Sequence, residues 1–339
     1  MAEGAEMSEP RMKFLASRRD LLAAGAAFAA VMPLPKSVAA SDFGAWLADL
    51  RKEARGQGIS DRILDAAFAG VEPIPRILEL DRKQPEFTLT FDEYIGRVVS
   101  QARIERGRQL IAENKGLLDQ VTSRYPVQPR FVVALWGIES DFGRLMGTFS
   151  VVAALATLAF DGRRSAYFRR ELLDALRILE DGHVPPAAMK GSWAGAMGQS
   201  QFMPSSFVRF AVDFDGDGRR DIWGSRADVF ASAANYLSRS GWQNDQTWGR
   251  EVRLPNGFDA TLVGHAVRKP LGEWQQLGVR RVDGGALPAR DVSASVLRPG
   301  GGNGPAYLVY ENFRVILKWN RSDFFALAVG RLADSLDAA

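Results

Sequence analysis

The sequence predicts an α+β fold, mostly α, with a helical N-terminal domain and a small β subdomain near its C-terminal end. Three observations carry this expectation. Helical periodicity with cap signals runs from residue 41 to about 125 and resumes after Pro129. From Trp248 to Leu297 the chain breaks into short apolar runs between Pro-Asn-Gly, Asp-Gly and Gly-rich turns. No segment repeats at a period of roughly 20–50 residues, which excludes a solenoid or propeller. A chain of 339 residues is long enough for one large domain or a few modest ones.

Residues 1–40 predict an export signal that is cleaved. Ser17-Arg18-Arg19-Asp20 leads into an apolar stretch from Leu21 to Met32, and SVAA offers small residues for cleavage near Ala40 or Ser41. About twelve apolar residues are too few to cross a hydrocarbon core of ~30 Å. The paired arginines resemble a twin-arginine signal; the alternative is an amphipathic tail. No cysteine stands at the cleavage point for a lipid anchor, so a soluble, periplasmic protein is expected.

Residues 41–125 read as a helical domain. Phe43, Trp46, Leu47 and Leu50 form a stripe of helical period. Ser60 suits an N-cap before RILDAAFAG, and Gly70 suits its end. The proline-punctuated stretch VEPIPRILELDRKQPEF is expected to be irregular, and one long helix is expected from about Phe91 to Asn114. Residues 126–245 form the next unit. Pro129 suits the first turn of a helix over FVVALWGIES, and further helices are expected at 150–159, 165–181 and 226–240. Between them GSWAGAMGQSQFMPSS, at 191–206, is too polar and too glycine-rich for a core element and reads as loop with short helical turns. Residues 246–305 are the β subdomain. Residues 306–339 lead back to a last helix at 321–337, whose apolar Phe324, Leu327, Ala328 and Leu332 would pack on the core.

Composition excludes several chemistries. The chain has no cysteine, so disulfides, thiolate nucleophiles and Cys-ligated zinc are excluded. It has two histidines, too few for a His-rich metal site, and no G-x-S-x-G turn to support a serine triad. The net charge of +3, from 43 basic and 40 acidic residues, is spread along the chain, without the basic stripe that nucleic-acid binding requires.

Two patterns carry chemistry. Glu139 closes the apolar helix ALWGIES. The negative end of a helix disfavours a further carboxylate, and desolvation by Trp136, Ile138 and Phe142 disfavours charge as well. Such a carboxyl can keep a proton for general acid chemistry; the alternative is a surface glutamate before a Gly143 terminator. The second pattern, DFDGDGRRD at 213–221, fits a D-x-D-x-D-G cation loop, with Gly218 at its turn. Its twelfth position is Gly224, so Asp228 would have to close the shell. A structural Ca²⁺ is expected there; a solvated acidic turn is the alternative. Around the polar loop stand Ser192, Trp193, Gln199, Gln201, Tyr236, Trp242 and Trp319. These types suit sugar binding, though each aromatic could equally be core.

Four motifs in order carry a family resemblance: LDRKQPEF at 80–87, W-G-x-E-S-x-F-G at 136–143, G-S-W-A-G-A-M-G-x-x-Q-F-M-P-S-S at 191–206, and D-F-D-G-D-G-x-x-D-I-W at 213–223. Together they resemble the MltB family of lytic murein transglycosylases over essentially the whole mature chain. The resemblance implies a lysozyme-like core and a single catalytic carboxylate, Glu139, that cleaves the β-1,4 bond between N-acetylmuramic acid and N-acetylglucosamine in peptidoglycan. Glu139 would protonate the leaving oxygen and then deprotonate the muramyl 6-hydroxyl, which closes a 1,6-anhydro ring. The resemblance further implies Ser192 and Trp193 in the substrate loop, Gln201 beside the scissile bond and Tyr236 under the sugar. It implies a cation held by Asp213, Asp215, Asp217, the carbonyl of Arg219, and Asp228. Where the family commonly places tyrosine-Asn-x-Ser and a second tyrosine, this chain has Trp319, Asn320 and Phe325, so two hydroxyls are missing. Peptidoglycan strands are the expected partner and a monomer the expected state, without organic cofactor, nucleic acid or transmembrane segment. Two alternatives stand beside this reading. One is a hydrolytic muramidase using a second carboxylate, with Asp161 a candidate and Asp141 too close along the chain. The other is a calcium-stabilised wall-binding protein without turnover.

Overall fold

The structure, a computed structural model, describes residues 36–83, 89–301 and 304–337. Residues 1–35 of the expected export signal, and 84–87 of the LDRKQPEF motif, lie outside the described residues. Helix α1 (Lys36–Gly56) runs through the cleavage-like SVAA. It buries Phe43 and Leu50, with Trp46 and Leu47 packed beside them, as the stripe requires. In α2 (Asp61–Phe68) Ser60 is the N-cap, its Oγ accepting the Ile63 amide. The stretch expected to be irregular contains a helix, α3 (Pro75–Lys83). Pro75 sits where its missing N–H costs nothing, and tertiary burial of Ile77 and Asp81 holds the helix. Asp81, 2% exposed, takes the guanidinium groups of Arg163 and Arg164.

The single long helix expected over 91–114 is two, α4 (Phe91–Val98) and α5 (Gln101–Glu113). Thr90 and Glu93 form a capping box at the start of α4. Ser100 Oγ then accepts the Arg103 amide and opens a new helix, while the Arg103 guanidinium bonds the Val98 carbonyl at the end of the old one. Local capping therefore outcompetes a continuous helix. After α6 (Lys115–Arg124), α7 (Pro129–Ser140) begins on its proline as expected. Strand β1 (Phe149–Ser150) leads into α8 (Val151–Phe160) and α9 (Ser165–Glu180). Strand β2 (Lys190–Gly191) pairs antiparallel with β1, a ribbon not expected from the sequence. Helices α10 (Pro204–Phe210) and α11 (Arg226–Arg239) complete this part.

The β subdomain contains β3 (Gly249–Arg253), β4 (Lys269–Pro270), α12 (Leu271–Gln276), β5 (Arg280–Arg281), β6 (Ser293–Leu297) and β7 (Ala306–Val309), followed by α13 (Glu311–Trp319) and α14 (Asp323–Asp337). The antiparallel sheet has the order β4-β6-β7-β3-β5. A boundary at 305/306 therefore cuts off β7, which pairs with both β3 and β6. Helix α13 was not expected either.

Successive residues of β6 and β7 face opposite ways. Val296, Ala306 and Leu308 join the subdomain's own core, with Trp274 and Val279. Leu297, Tyr307 and Val309 join the main core. Both faces of β7 are covered, and its AYLV reads as a continuous apolar run, whereas β6 carries Ser293 and Ser295. The main core runs unbroken from Phe43 to Leu336. The helices of 41–125, the central unit and the C-terminal helices thus share one interior. Helix α7 lies at its centre, contacted by α5, α6, α11 and α14. It is apolar on all sides, as a surrounded helix must be. Each large side chain it buries fully, such as Phe131, stabilises the fold by about 1.5–3 kcal/mol.

Candidate active site

Glu139 lies in the last turn of α7 and is 4% exposed. Val132, Leu135, Trp136, Ser200, Val229, Phe230, Ala233 and Trp319 line a small cavity with it, and among the described residues no second acid does. An uncompensated charge in such surroundings is costly. Trp319 Nε1 donates to Glu139 Oε1 at 2.6 Å and offsets part of that cost. The helix ends in an unusual way. Asp141 and Phe142 both take left-handed backbone (φ 51° and 59°) before Gly143 does (φ 83°). Gly137 makes this turn possible, because a Cβ there would stand 2.7 Å from the Phe142 ring.

The other two carboxylates considered from sequence face elsewhere. Asp141 pairs with Arg144 at 2.5 Å and Arg103 at 3.6 Å. Asp161 pairs with Arg82 at 2.9 Å, on the α3 side of the molecule.

The polar loop wraps the end of α7. Gln201 has φ 46°, and its Nε2 donates to Met146 O at 3.0 Å and Gly198 O at 2.8 Å. Ser192 folds its own loop: its Oγ accepts the Ala196 amide at 3.0 Å. Trp193 is buried and its Nε1 has no hydrogen-bond partner among the described residues. Tyr236 donates its hydroxyl to Lys318 O at 2.7 Å. Its ring lies 4.7 Å from Trp319, 4.4 Å from Phe210 and 5.8 Å from Phe202, which is itself 5.1 Å from Trp319. An aromatic wall thus stands beside Glu139, and α13 presents Trp319 at its end with Asn320 as the C-cap. Trp242 belongs to the core, packed on Phe131 at 4.7 Å with its indole N–H on Gln128. Phe325 is fully buried in α14 and serves packing.

Sequence reasoning passed over Ser200, Phe202 and Phe210. Ser200 lines the Glu139 cavity, with its Oγ buried and unpartnered among the described residues. Its one signal was its place between two glutamines in a run of polar residues.

In the acidic loop one oxygen each of Asp213, Asp215 and Asp217 lies within 4.8 Å of the others. Glycines 216 and 218 take positive φ, as so sharp a turn needs. Asp213 also accepts the amides of Gly216 and Gly218, at 2.7 and 2.9 Å. The Arg219 guanidinium and amide hold the Asp217 carboxyl below its ordinary range. An all-oxygen set of this kind fits a hard cation such as Ca²⁺. Asp228 stands apart from the three. Fully buried, it accepts the amides of Phe214 at 2.7 Å and Asp221 at 2.6 Å, so it clasps the two ends of the loop instead of joining the cluster. Burial pushes its carboxyl above the ordinary range, against the lowering effect of the backbone amides that face it.

The chain is similar to known proteins in both sequence and fold. A family model described as a transglycosylase SLT domain matches residues 42–334. The chain is 34% identical over 260 residues to the membrane-bound lytic murein transglycosylase B of Escherichia coli (strain K12), covering 73% of this chain and 67% of that protein. SltB3 from Pseudomonas aeruginosa, solved in complex with NAG-anhNAM-pentapeptide, is 50% identical, with a TM-score of 0.85 over 88% of this chain and 80% of that one. Escherichia coli Slt35, a lytic transglycosylase solved in complex with calcium, is 28% identical, with a TM-score of 0.71 over 87% of this chain and 92% of that one.

Proposed function

The chain belongs to the transglycosylase SLT domain family, and on that premise we propose that Glu139 carries the cleavage chemistry of a lytic transglycosylase. The enzyme cleaves the β-1,4 bond between N-acetylmuramic acid and N-acetylglucosamine in peptidoglycan and leaves 1,6-anhydro-muramyl ends. Glu139 gives its proton to the glycosidic oxygen as the C1–O bond breaks. As carboxylate it then takes the proton of the muramyl 6-hydroxyl, whose oxygen bonds to C1. The carboxyl is restored and no water is consumed. The substrate's own acetamido group would share the positive charge at C1 between the two steps.

One observation supports this reading above the rest: among the described residues, Glu139 is the only acid lining its cavity. Glycosidases that use two carboxylates hold them roughly 5–9.5 Å apart across the bond, whereas Asp141 and Asp161 are committed to arginines. A buried carboxyl that accepts an indole N–H suits alternating roles, since burial disfavours a charge and the N–H steadies one. Ser192, Trp193, Gln201, Tyr236, Trp319 and Asn320 would flank the sugars, the aromatic wall taking a ring face. Asp213, Asp215, Asp217 and the Arg219 carbonyl would hold Ca²⁺, with Asp228 bracing the loop behind them. When bound, the ion would neutralise the mutual repulsion of the carboxylates and stiffen the loop. No helix of the described residues is long and apolar enough to cross a membrane. The twin-arginine-like signal supports export to the periplasm, and a monomer is the state we propose.

The test is product analysis by mass spectrometry of digested murein, wild type beside Glu139→Gln. Anhydro-muropeptides are expected from the wild type, with a rate at least 10²-fold lower in Glu139→Gln. Reducing-end muramic acid would mean hydrolysis, and undiminished lysis by Glu139→Gln would place catalysis elsewhere.

A further inference from the structure

The family pattern leaves residue 199 unassigned, yet this residue bonds both to α7 and to the end of the acidic loop. We infer that Gln199 is a positioning residue that ties the last turn of α7 to the end of the acidic loop, so that the placement of the loop sets the placement of Glu139. The inference rests on the reading of Glu139 as acid and base.

Gln199 is 8% exposed and its side-chain amide faces two ways. Oε1 accepts Trp136 Nε1 at 2.8 Å, and Nε2 donates to Trp223 O at 2.7 Å. Its main chain repeats the pattern: the carbonyl accepts Ser140 Oγ at 2.7 Å and the amide donates to Ile222 O at 2.8 Å. Two bonds therefore reach α7 and two reach the loop. Only one orientation of the side-chain amide works, because an indole N–H can only donate and a carbonyl can only accept. Few side chains could replace it. Methionine would leave a buried indole N–H and a buried carbonyl unpaired, and an ionised glutamate would set oxygen against oxygen at Trp223.

Each end of the tie is placed to matter. Trp136 and Ser140 lie one helical turn apart and bracket Glu139, so fixing both fixes the rotation of the turn that carries the carboxyl. Ser140 Oγ also accepts the Gly143 amide at 3.0 Å and so closes the turn with two left-handed non-glycine residues. Gly143 rests on the Gln199 amide, since a Cβ there would come within 2.4 Å of Oε1. At the other end, Asp221 accepts the Trp223 amide at 2.9 Å, and its own amide is held by Asp228, which also holds Phe214 next to Asp213. Trp223 Nε1 in turn bonds Lys190 O in β2 at 2.9 Å. A shift in the acidic loop thus moves Ile222 and Trp223, and through Gln199 it moves the end of α7. Misplacing a catalytic group by about 1 Å can cost on the order of 10²-fold in rate.

The experiment is a kinetic cycle on murein with Gln199→Met, Asp213→Asn and the double variant, each checked for folding by its melting curve. Gln199→Met is expected to lower kcat about 10- to 100-fold while KM changes less than about threefold. Asp213→Asn is expected to lower kcat in the wild-type background and to add little once Gln199 is gone, the signature of coupled sites. Hydrogen exchange at the Gly143 and Leu145 amides should quicken in Asp213→Asn only while Gln199 is present. Gln199→Glu, whose carboxyl can donate to Trp223 O only when protonated, should recover kcat relative to wild type toward acid pH, and it carries the comparison if Gln199→Met does not fold. Multiplicative losses from the two single changes, or a kcat within twofold of wild type in Gln199→Met, would overturn the inference and leave the anhydro product of the wild type untouched. Absence of that product from the wild type would instead overturn the proposed function.

Discussion

Trp319 shows how one substitution of side-chain type changes a site without emptying it. At a position where tyrosine is common in the resembling family, the indole reaches Glu139 with an N–H that can donate and never accept. A tyrosine hydroxyl could do either, so the tryptophan binds Glu139 by an oxygen that carries no proton. Hydrogen bonds to a charged partner contribute about 1.5–3 kcal/mol. Trp319→Phe is therefore expected to lower kcat by roughly tenfold or more, with Trp319→Tyr retaining most of the activity. Steady-state kinetics on purified glycan strands checks this, and equal losses in both variants would mean that ring shape matters instead of the donor. The position of Glu139 in its helix was legible from ten residues. Its partner was not, because Trp319 lies 180 residues away in sequence. Phe325, the other missing hydroxyl, is fully buried, where packing explains the residue.

At the scale of elements, caps and prolines were reliable guides and continuity was not. Ser60, Pro129 and the Gly70 terminator stand where local chemistry put them. The single helix expected over 91–114 breaks into α4 and α5 at Ser100, where a side-chain cap opens the second helix. Gly330 is a further case of context against propensity. A glycine inside α14 would by propensity be improved by alanine, yet a Cβ there would stand 2.2 Å from the Trp248 indole. The acidic loop was legible as a pattern, since alternate carboxylates and a glycine turn converge by local geometry alone. The role of Asp228 as a clasp was not. If the loop holds Ca²⁺, saturating calcium should raise the melting temperature by several degrees over chelator, the effect of a ligand at about 100 times its dissociation constant being ~2.7 kcal/mol. Differential scanning fluorimetry reads this, and Asp213→Asn should abolish the difference; identical curves with calcium and chelator would count against a specific site.

Over the whole molecule, two interiors are joined through one sheet. The main core takes the odd residues 297, 307 and 309, and the subdomain core takes 296, 306 and 308. Stability should also respond to pH through His183, which packs on Phe207 and accepts the Arg220 amide at Nδ1, 3.2 Å away. Burial, aided by the Arg220 charge, pushes its imidazole below the ordinary value. The unfolded chain then binds the proton more readily than the folded one, so stability is fully present above about pH 6.5 and falls as the pH drops below it. Urea titrations from pH 7.5 to 5 should show this decline, and His183→Gln should flatten it; an unchanged slope would assign the decline to other groups. By itself the sequence determined the helical character, the acid at the end of α7 and the acidic loop, because each is written in windows of a dozen residues or fewer. Only the tertiary structure decided what meets Glu139, which carboxylates are excluded from its cavity and how Gln199 spans two segments. Those facts depend on contacts between distant parts of the chain, and such contacts follow from how the whole core packs.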